Sequence, residues 1–354
     1  MNRAGGGDAV RTGGAESRTV PATPSGGAAT AVVTAEAPLR EWRGSPRSAS
    51  PPGAGEGRTP PRRRRRMPAP LVLLRPRQWI KNIFVLLVPL ALDPAALVRH
   101  PGRGIAAVVA FTAASAAVYV LNDWLDRERD RLHPVKRHRP LAGGRIGPVG
   151  AALLGATCLA TTVACAAVLP GAAQAAIAGY GVINLAYCLW LKHHSLVDVS
   201  LVASGFVLRA VAGCAAVAAP FNPALIICVY CTCLLLSLGK RRHELAAADL
   251  LGQASAQRPA LAGYSVPLLD QLMTLLLAAT LISYELFVLS GPHPHAEVLA
   301  VATVPFAVFA VCRYVQMVAV RSSGGEPGRD VLTDVPLVIN AVLWLACLAA
   351  GRLL

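Results

Sequence analysis

The sequence predicts an all-α fold, a polytopic membrane bundle of about nine transmembrane helices. Three observations predict it. Hydrophobic residues make up 54% of the 354 residues and charged residues only 15%, where soluble domains carry about 25% charged residues. From residue 68 onward the chain is a succession of apolar runs, each close to the roughly 20 residues that cross a bilayer as a helix. The runs are too long for strands and lack two-residue alternation, and Ala, Leu and Val supply their apolarity, aromatics being 5% of the chain.

Residues 1–67 stand apart. They are rich in Gly, Ala, Pro, Ser and Arg with few large apolar side chains, so they cannot bury enough surface to offset their ordering entropy and are expected to be a disordered basic tail. The tail has no apolar core of the kind a signal peptide needs. It ends in five arginines, Arg62 to Arg66. These suit anionic headgroups at about 1 kcal/mol per charge, or simply hold the N-terminus in the cytoplasm. Met67 is a candidate alternative start.

Residues 68–354 are expected to form one transmembrane domain, with spans at 80–98, 104–121, 149–169, 171–190, 196–218, 223–239, 267–290, 296–317 and 332–351. Pro101-Gly102, Pro170-Gly171, Pro220-Phe221-Asn222-Pro223 and Gly291-Pro292 mark turns between them. The Ala and Gly content lets helix backbones approach closely. Cys228-x-x-Cys231-x-Cys233 falls inside a span with no His or carboxylate beside it, so it reads as small apolar helix surface, not a metal or redox pair.

The formal net charge is +15. Nucleic acid would require a soluble basic face, which this chain does not offer; a positive-inside bias and phosphate-bearing substrates fit better. Arg127, Arg129, Arg131, Lys136, Arg137, Arg139 and Arg145 follow span two, Lys192 follows span four, Lys240, Arg241, Arg242 and Arg258 follow span six, and Arg321 and Arg329 follow span eight. The opposite loops hold little that is basic beyond Arg99 and Arg103. The N-terminus is therefore expected inside and the C-terminus outside, with the charged chemistry at the cytoplasmic mouth of a plasma-membrane protein.

The strongest motif is Asn122-Asp123-x-x-Asp126-x-x-x-Asp130, directly after span two. On a helix the three aspartates would share one face. Clustered carboxylates repel unless a cation sits among them, and Mg²⁺ binds through a few carboxylates plus substrate phosphate oxygens. Asn122, Asp123, Asp126 and Asp130 are thus catalytic candidates, the three aspartates as metal ligands; the alternative is a solvated helix paired with Arg127, Arg129 and Arg131.

Basic residues before a Pro/Gly turn, Lys136 and Arg139 in Lys136-Arg137-His138-Arg139-Pro140, suit phosphate contacts. Lys81 and Asn82 open span one after Arg75-Pro76-Arg77-Gln78-Trp79. Lys81 is read as a substrate contact or as a snorkelling lysine. Span four ends Tyr187-x-x-x-x-Lys192-His193-His194, and Asp198 and Arg209 lie within span five. Ionisable residues in a membrane helix are functional candidates by default; a structural pairing, mutual or across helices, is the other reading. Lys240, Arg241 and Glu244 follow span six, and the basic residues there could grip phosphates.

These strings resemble the UbiA superfamily of membrane prenyltransferases over about residues 70–354. The first motif matches that family at all four positions. Where the family carries a second Asp-rich motif after helix six, this chain has Gly239-Lys240-Arg241-Arg242-His243-Glu244-Leu245. That departure, with Arg75-Pro76-Arg77-Gln78-Trp79-x-Lys81-Asn82, Leu191-Lys192-His193 with Asp198, and Gly205-Phe206-Val207-Leu208-Arg209, is similar to the branch that acts on decaprenyl phosphate with a phosphoribosyl donor. The Ala, Arg and Gly-rich composition suits a GC-rich actinobacterial source.

The resemblance implies a catalytic domain over 68–354. It implies Mg²⁺-dependent transfer of 5-phosphoribose from phosphoribosyl diphosphate to polyprenyl phosphate, a precursor step for cell-wall arabinan or for a specialised pathway, between which the sequence does not choose. A donor with an extra phosphate and an acceptor that is itself a phosphate call for more cations, consistent with Lys240, Arg241 and Arg242 replacing acids. Tyr187, Lys192, Asp198, Arg209 and Glu244 join the expected substrate site. A homo-oligomer is left open. Two other functions stay in view: a prenyltransferase acting on an aromatic or quinone precursor, and a non-catalytic lipid-binding or transport protein, against which stands the lack of inverted broken-helix repeats.

Overall fold

The computed structural model describes residues 67–250, 259–291, 295–320, 325 and 327–353. The expected disordered tail, with Arg62 to Arg66, and the basic residues Arg258 and Arg321 lie outside the described residues. The described chain is helical, with no strand among those residues. Its helices are α1 (Ala69–Leu74), α2 (Phe84–Leu92), α3 (Pro94–Arg99), α4 (Pro101–Leu125), α5 (Arg127–Leu132), α6 (Pro148–Ala167), α7 (Gly171–Leu189), α8 (Val197–Val217), α9 (Pro223–Leu250), α10 (Val266–Leu289), α11 (Ala296–Ala319), α12 (Pro327–Thr333) and α13 (Val335–Leu353).

Proline places several starts. Pro94, Pro101 and Pro148 open α3, α4 and α6, where the missing N–H costs nothing. Asp93 caps α3 by accepting from Ala96 N–H at 3.1 Å, and Ser265 caps α10 by accepting from Leu268 N–H at 3.3 Å.

Seven helices, α4 and α6 to α11, are long and apolar enough to cross a membrane, or eight spans if α12 and α13, bent by 76° at their junction, count as one. The expected count of nine is not reached among the described residues, because the first apolar run is broken. It begins as a 3-10 segment, Pro76–Ile83, continues as the nine-residue α2, and ends at Asp93, which is extended before Pro94. A residue preceding proline is steered away from the helical region, so 80–98 folds as three short pieces.

Two apolar clusters hold the bundle. One joins α2, α4, α7 and α8 around Phe111, Ile177, Tyr180 and Val217. The other joins α8 to α11 around Leu238, Leu269, Met273 and Val318. All nine cysteines are free, and Cys231 and Cys233 are buried as apolar helix residues, as expected. Small residues set the tightest approach: a Cβ on Gly213 would fall 1.7 Å from the Val85 carbonyl oxygen, so α8 lies directly on the backbone of α2.

Gly213→Ala therefore forces backbone apart and should cost more than about 3 kcal/mol. Yield of monodisperse protein in detergent should collapse, while Gly102→Ala, with nothing within 4 Å of its added Cβ, should behave as wild type.

Candidate active site

The helices run back and forth, so the C-terminal ends of α4, α7, α9 and α11 and the N-terminal ends of α6, α8 and α10 meet at one end of the bundle. Ion pairs fill that end. Asp123 stands in the last turn of α4, where the helix dipole is unfavourable to an anion. It is buried, and two cations compensate it: Arg75 Nη2 at 2.6 Å and Arg139 Nη1 at 3.1 Å. Arg75 reaches it because α1 ends there with a left-handed residue, φ 52°, and its guanidinium lies 5.0 Å over the Tyr119 ring. Arg139 Nη1 also meets buried Asp130 at 2.7 Å.

Arg139 is aimed by a tight turn. Gly143 N–H donates to the Arg139 carbonyl at 2.8 Å, Arg145 N–H donates to the Pro140 carbonyl at 2.9 Å, and Gly144 takes φ +69°. Gly143 allows this crossing, since a Cβ there would press on the Arg137 and Arg139 carbonyls at 3.2 Å.

The acidic motif does not form one helical face. α4 ends at Leu125 with Asp126 as its cap, and α5 starts afresh at Arg127. Asp126 turns to a separate partner, Lys192 Nζ at 2.7 Å. No group of three His, Cys, Asp or Glu side chains converges among the described residues; the three aspartates are instead each held by a cation. Arg127 and Arg131 pair with exposed Glu128 rather than with the motif aspartates. Asn122 is half-buried in the last turn of α4 and Lys136 half-buried in the turn that follows α5.

A second cluster joins α8, α9 and the segment before α10. Asp198, 0% exposed, faces Arg241 Nε at 3.0 Å. Arg241 is itself buried and also pairs through Nη1 with Glu244, while Lys240 Nζ lies 4.0 Å from Glu244. Tyr187 lies near enough to act on the Arg241 charge. Tyr264 donates its hydroxyl to Asp198 Oδ1 at 3.1 Å and accepts from Leu196 N–H at 2.6 Å. Burial, first of all, pushes this phenol up to about 12, and the nearby Asp198 charge adds to the shift against the hydrogen bond from Leu196 N–H. His193, on the turn between α7 and α8, is held below its ordinary value by loss of hydration and by the charges of Lys192 and Arg129.

Asp198 and Arg209 do not pair with each other. Arg209 is buried and, among the described residues, has only neutral acceptors: Nε donates to Asn82 Oδ1 at 2.8 Å, Nη1 to the Gly205 carbonyl at 2.8 Å and Nη2 to Tyr180 Oη at 3.0 Å. Its guanidinium stacks on Tyr180 at 4.6 Å and Phe206 at 5.3 Å. Asn82, 0% exposed, in turn donates to Thr112 and Ser115, which anchors the 3-10 segment to α4. Its neighbour Lys81 is exposed and sits among the charges of Lys240, Arg209 and Arg75.

Two of the basic residues after span six are already partnered. Arg241 and Arg242 do not stand free for phosphates: Arg241 is taken up by Asp198 and Glu244, and Arg242 pairs with Asp270 at 2.6 Å and donates to the Val318 carbonyl at 3.2 Å. Arg75, Tyr180, Tyr264 and Ser195 belong to the site's framework although the sequence did not single them out for it.

The fold and this end together define a helical integral membrane protein with a paired acid and base cluster gathered at one mouth of the bundle. Residues 83–326 match the UbiA prenyltransferase family, and the chain belongs to that family. It is 33% identical over 285 residues to the decaprenyl-phosphate phosphoribosyltransferase of Mycobacterium tuberculosis, covering 78% of this chain and 92% of that protein. It is 34% identical to the protein of the same name from Corynebacterium glutamicum, covering 78% and 84%. Among solved structures, a UbiA homolog from Archaeoglobus fulgidus bound to DMAPP and Mg²⁺ superposes with a TM-score of 0.61 at 21% identity, covering 80% of this chain and 98% of that one.

Two measurements test the assignments. Ultraviolet difference titration of wild type against Tyr264→Phe should show one phenol ionising near pH 12, well above the ordinary tyrosine value of 10.0. A proton held more tightly in the folded state contributes stability in full below pH 10 and loses it as pH rises toward 12. Asn82→Ala strips a buried cation of an acceptor and should cost about 2–3 kcal/mol, seen as a lower thermal midpoint, whereas Lys81→Ala should leave the midpoint unchanged.

Proposed function

We propose that this protein transfers 5-phosphoribose from phosphoribosyl diphosphate to polyprenyl phosphate, releasing pyrophosphate. The carrying observation is the likeness, along nearly their whole length, to relatives named decaprenyl-phosphate phosphoribosyltransferase. The site's chemistry supports it. Among the described residues no carboxylate pairs with Lys81 or Arg209, and Lys240 is 45% exposed with only a long contact to Glu244. Such cations suit a reaction in which both donor and acceptor carry phosphate.

The acid motif supplies the residues that would hold a divalent metal, in place of the cations that now meet them. Asp123 and Asp130 already share one guanidinium nitrogen, so a positive charge between them is compensated. Their oxygens, with those of Asp126, are the hard donors Mg²⁺ prefers. Bound there, Mg²⁺ would neutralise charge on the leaving pyrophosphate. The residues of the chain do the rest. Lys81 and Lys240 face the substrate phosphates, Arg139 and Lys192 hold the acids in register, and Asn122 orients the donor at the motif. The acceptor phosphate is ionised at neutral pH, so no general base is required, and positioning and electrostatics supply the rate. The charged end faces the cytoplasm of a plasma-membrane protein whose N-terminus is inside, as the positive-inside bias favours, and the lipid tail leaves between apolar helices.

Membranes containing the protein, given labelled phosphoribosyl diphosphate and polyprenyl phosphate, should form a lipid-linked phosphoribose; a prenyl diphosphate in its place should give no product. Product only from the prenyl diphosphate ends the reading. Asp126→Ala should lower Mg²⁺-dependent transfer by at least about 100-fold while the protein stays folded, and retained turnover would remove the metal role.

A further inference from the structure

The turn joining α7 to α8 is strained. Leu196 has φ 65° and ψ −44°, and Val197 N–H donates to the Ser195 carbonyl at 2.8 Å. This is a γ-turn with positive φ at a residue that carries a bulky side chain, a conformation that persists only where its surroundings over-determine it. Besides the first bonds of α8, Asp198 N–H to the His194 carbonyl and Ser200 N–H to the Leu196 carbonyl, the turn is held by the 3-10 segment Pro259–Gly263 and the residue after it. Ser195 Oγ donates to the Ala260 carbonyl at 2.7 Å, Leu196 N–H donates to Tyr264 Oη at 2.6 Å, and the same hydroxyl donates to Asp198 Oδ1 at 3.1 Å. Gly263 makes room for the contact, since a Cβ there would fall 2.2 Å from Ser195 Oγ.

Both ends of this turn lead into the site. Upstream, Lys192 holds Asp126; downstream, Asp198 holds Arg241, which holds Glu244 beside Lys240. We propose that Tyr264 is a positioning residue for the transfer reaction: its hydroxyl locks the strained turn and so sets Lys192 against the acidic motif and Arg241 beside Lys240. The proposal rests on the transferase reading above. One hydroxyl acts as acceptor and donor together, a task phenylalanine cannot perform and no neighbouring group duplicates among the described residues. Because the phenol titrates far above neutrality, the lock holds throughout the working pH range.

The test is steady-state kinetics of the purified full-length protein with polyprenyl phosphate in excess, alongside thermal unfolding. Tyr264→Phe should raise KM for phosphoribosyl diphosphate at least about tenfold, as two hydrogen bonds are lost, with a lowered thermal midpoint but folded protein at the assay temperature. A merely structural loss would lower kcat per total protein and leave KM alone. Leu196→Gly should be nearly silent by itself, because glycine adopts positive φ freely. In the Tyr264→Phe background it should bring KM back to within about threefold of wild type. An unchanged KM in Tyr264→Phe, or a double variant as impaired as the single, overturns the proposal. If Tyr264→Phe does not accumulate folded, Ser195→Ala cuts the other tie to the same segment. It should raise KM about threefold and be rescued in the same way, and an unchanged KM there is equally fatal. Should wild type use a prenyl diphosphate in place of phosphoribosyl diphosphate, the transferase assignment fails, and the same ratios measured on that donor still decide the lock.

Discussion

A carboxylate at the mouth of a membrane helix must be met by positive charge or by water, and the candidate site meets each of its acids with a cation brought from elsewhere in the chain. Asp123 receives Arg75 and Arg139, Asp130 receives Arg139, Asp126 receives Lys192, and Asp198 receives Arg241. Each pairing fixes a connection that would otherwise wander. Arg75 ties the first short helix to α4, Arg139 folds the turn after α5 back on the motif, and Lys192 brings the end of α7 to the end of α4. Arg241 joins α8 to α9. A single exposed ion pair contributes little to stability, but most of these have a buried partner, and removing one member would strand a charge at large cost. Their value lies in geometry: they hold a set of phosphate-scale charges in register before any substrate arrives.

Arg209 solves the same problem by different means. It lies within α8, away from the acids, and is satisfied by an amide, a backbone carbonyl, a phenol and aromatic faces. A neutral shell leaves its charge uncancelled, and that charge reaches the neighbouring Lys81. Its hydrogen bond to Asn82 also explains why the first apolar run keeps its 3-10 form: Asn82 must face α4 and Arg209 together, which leaves the neighbouring Lys81 side chain exposed.

The fold class was legible because it depends on local composition. Apolar runs of spanning length need no partner to be recognised, and the spacing of Asp123, Asp126 and Asp130 marks a charged helix end. The break in the first run was also written in the sequence, as Pro94 after Asp93, but apolar content outweighed it. Partners were not legible. Arg75 lies 48 residues from Asp123, Lys192 lies 66 from Asp126, and Asn82 lies 127 from Arg209; no periodicity connects positions so distant. Tyr264 carried no signal at all, since a lone tyrosine after a polar loop looks like an interfacial anchor. Gly263 beside it could have hinted at a close approach, yet only the position of Ser195 shows what approaches.

The charges after span six acquire a different meaning from this arrangement. Lys240, Arg241 and Arg242 in place of an acidic motif suggest, by sign alone, three new phosphate contacts. In the fold, Arg241 and Arg242 are absorbed by Asp198, Glu244 and Asp270, and only Lys240 remains substantially exposed. The reversal of sign nevertheless matters. An acidic segment there would stand as uncompensated negative charge beside Asp198 and would need a metal of its own to be tolerated. A basic one neutralises Asp198 with the protein's own side chains, so a second cation site has no reason to form at that wall. The motif acids Asp123, Asp126 and Asp130, each met by a cation, and the exposed lysines Lys81 and Lys240 then stand as separate groups at this end of the bundle. That division would suit the proposed transfer, in which both donor and acceptor carry phosphate.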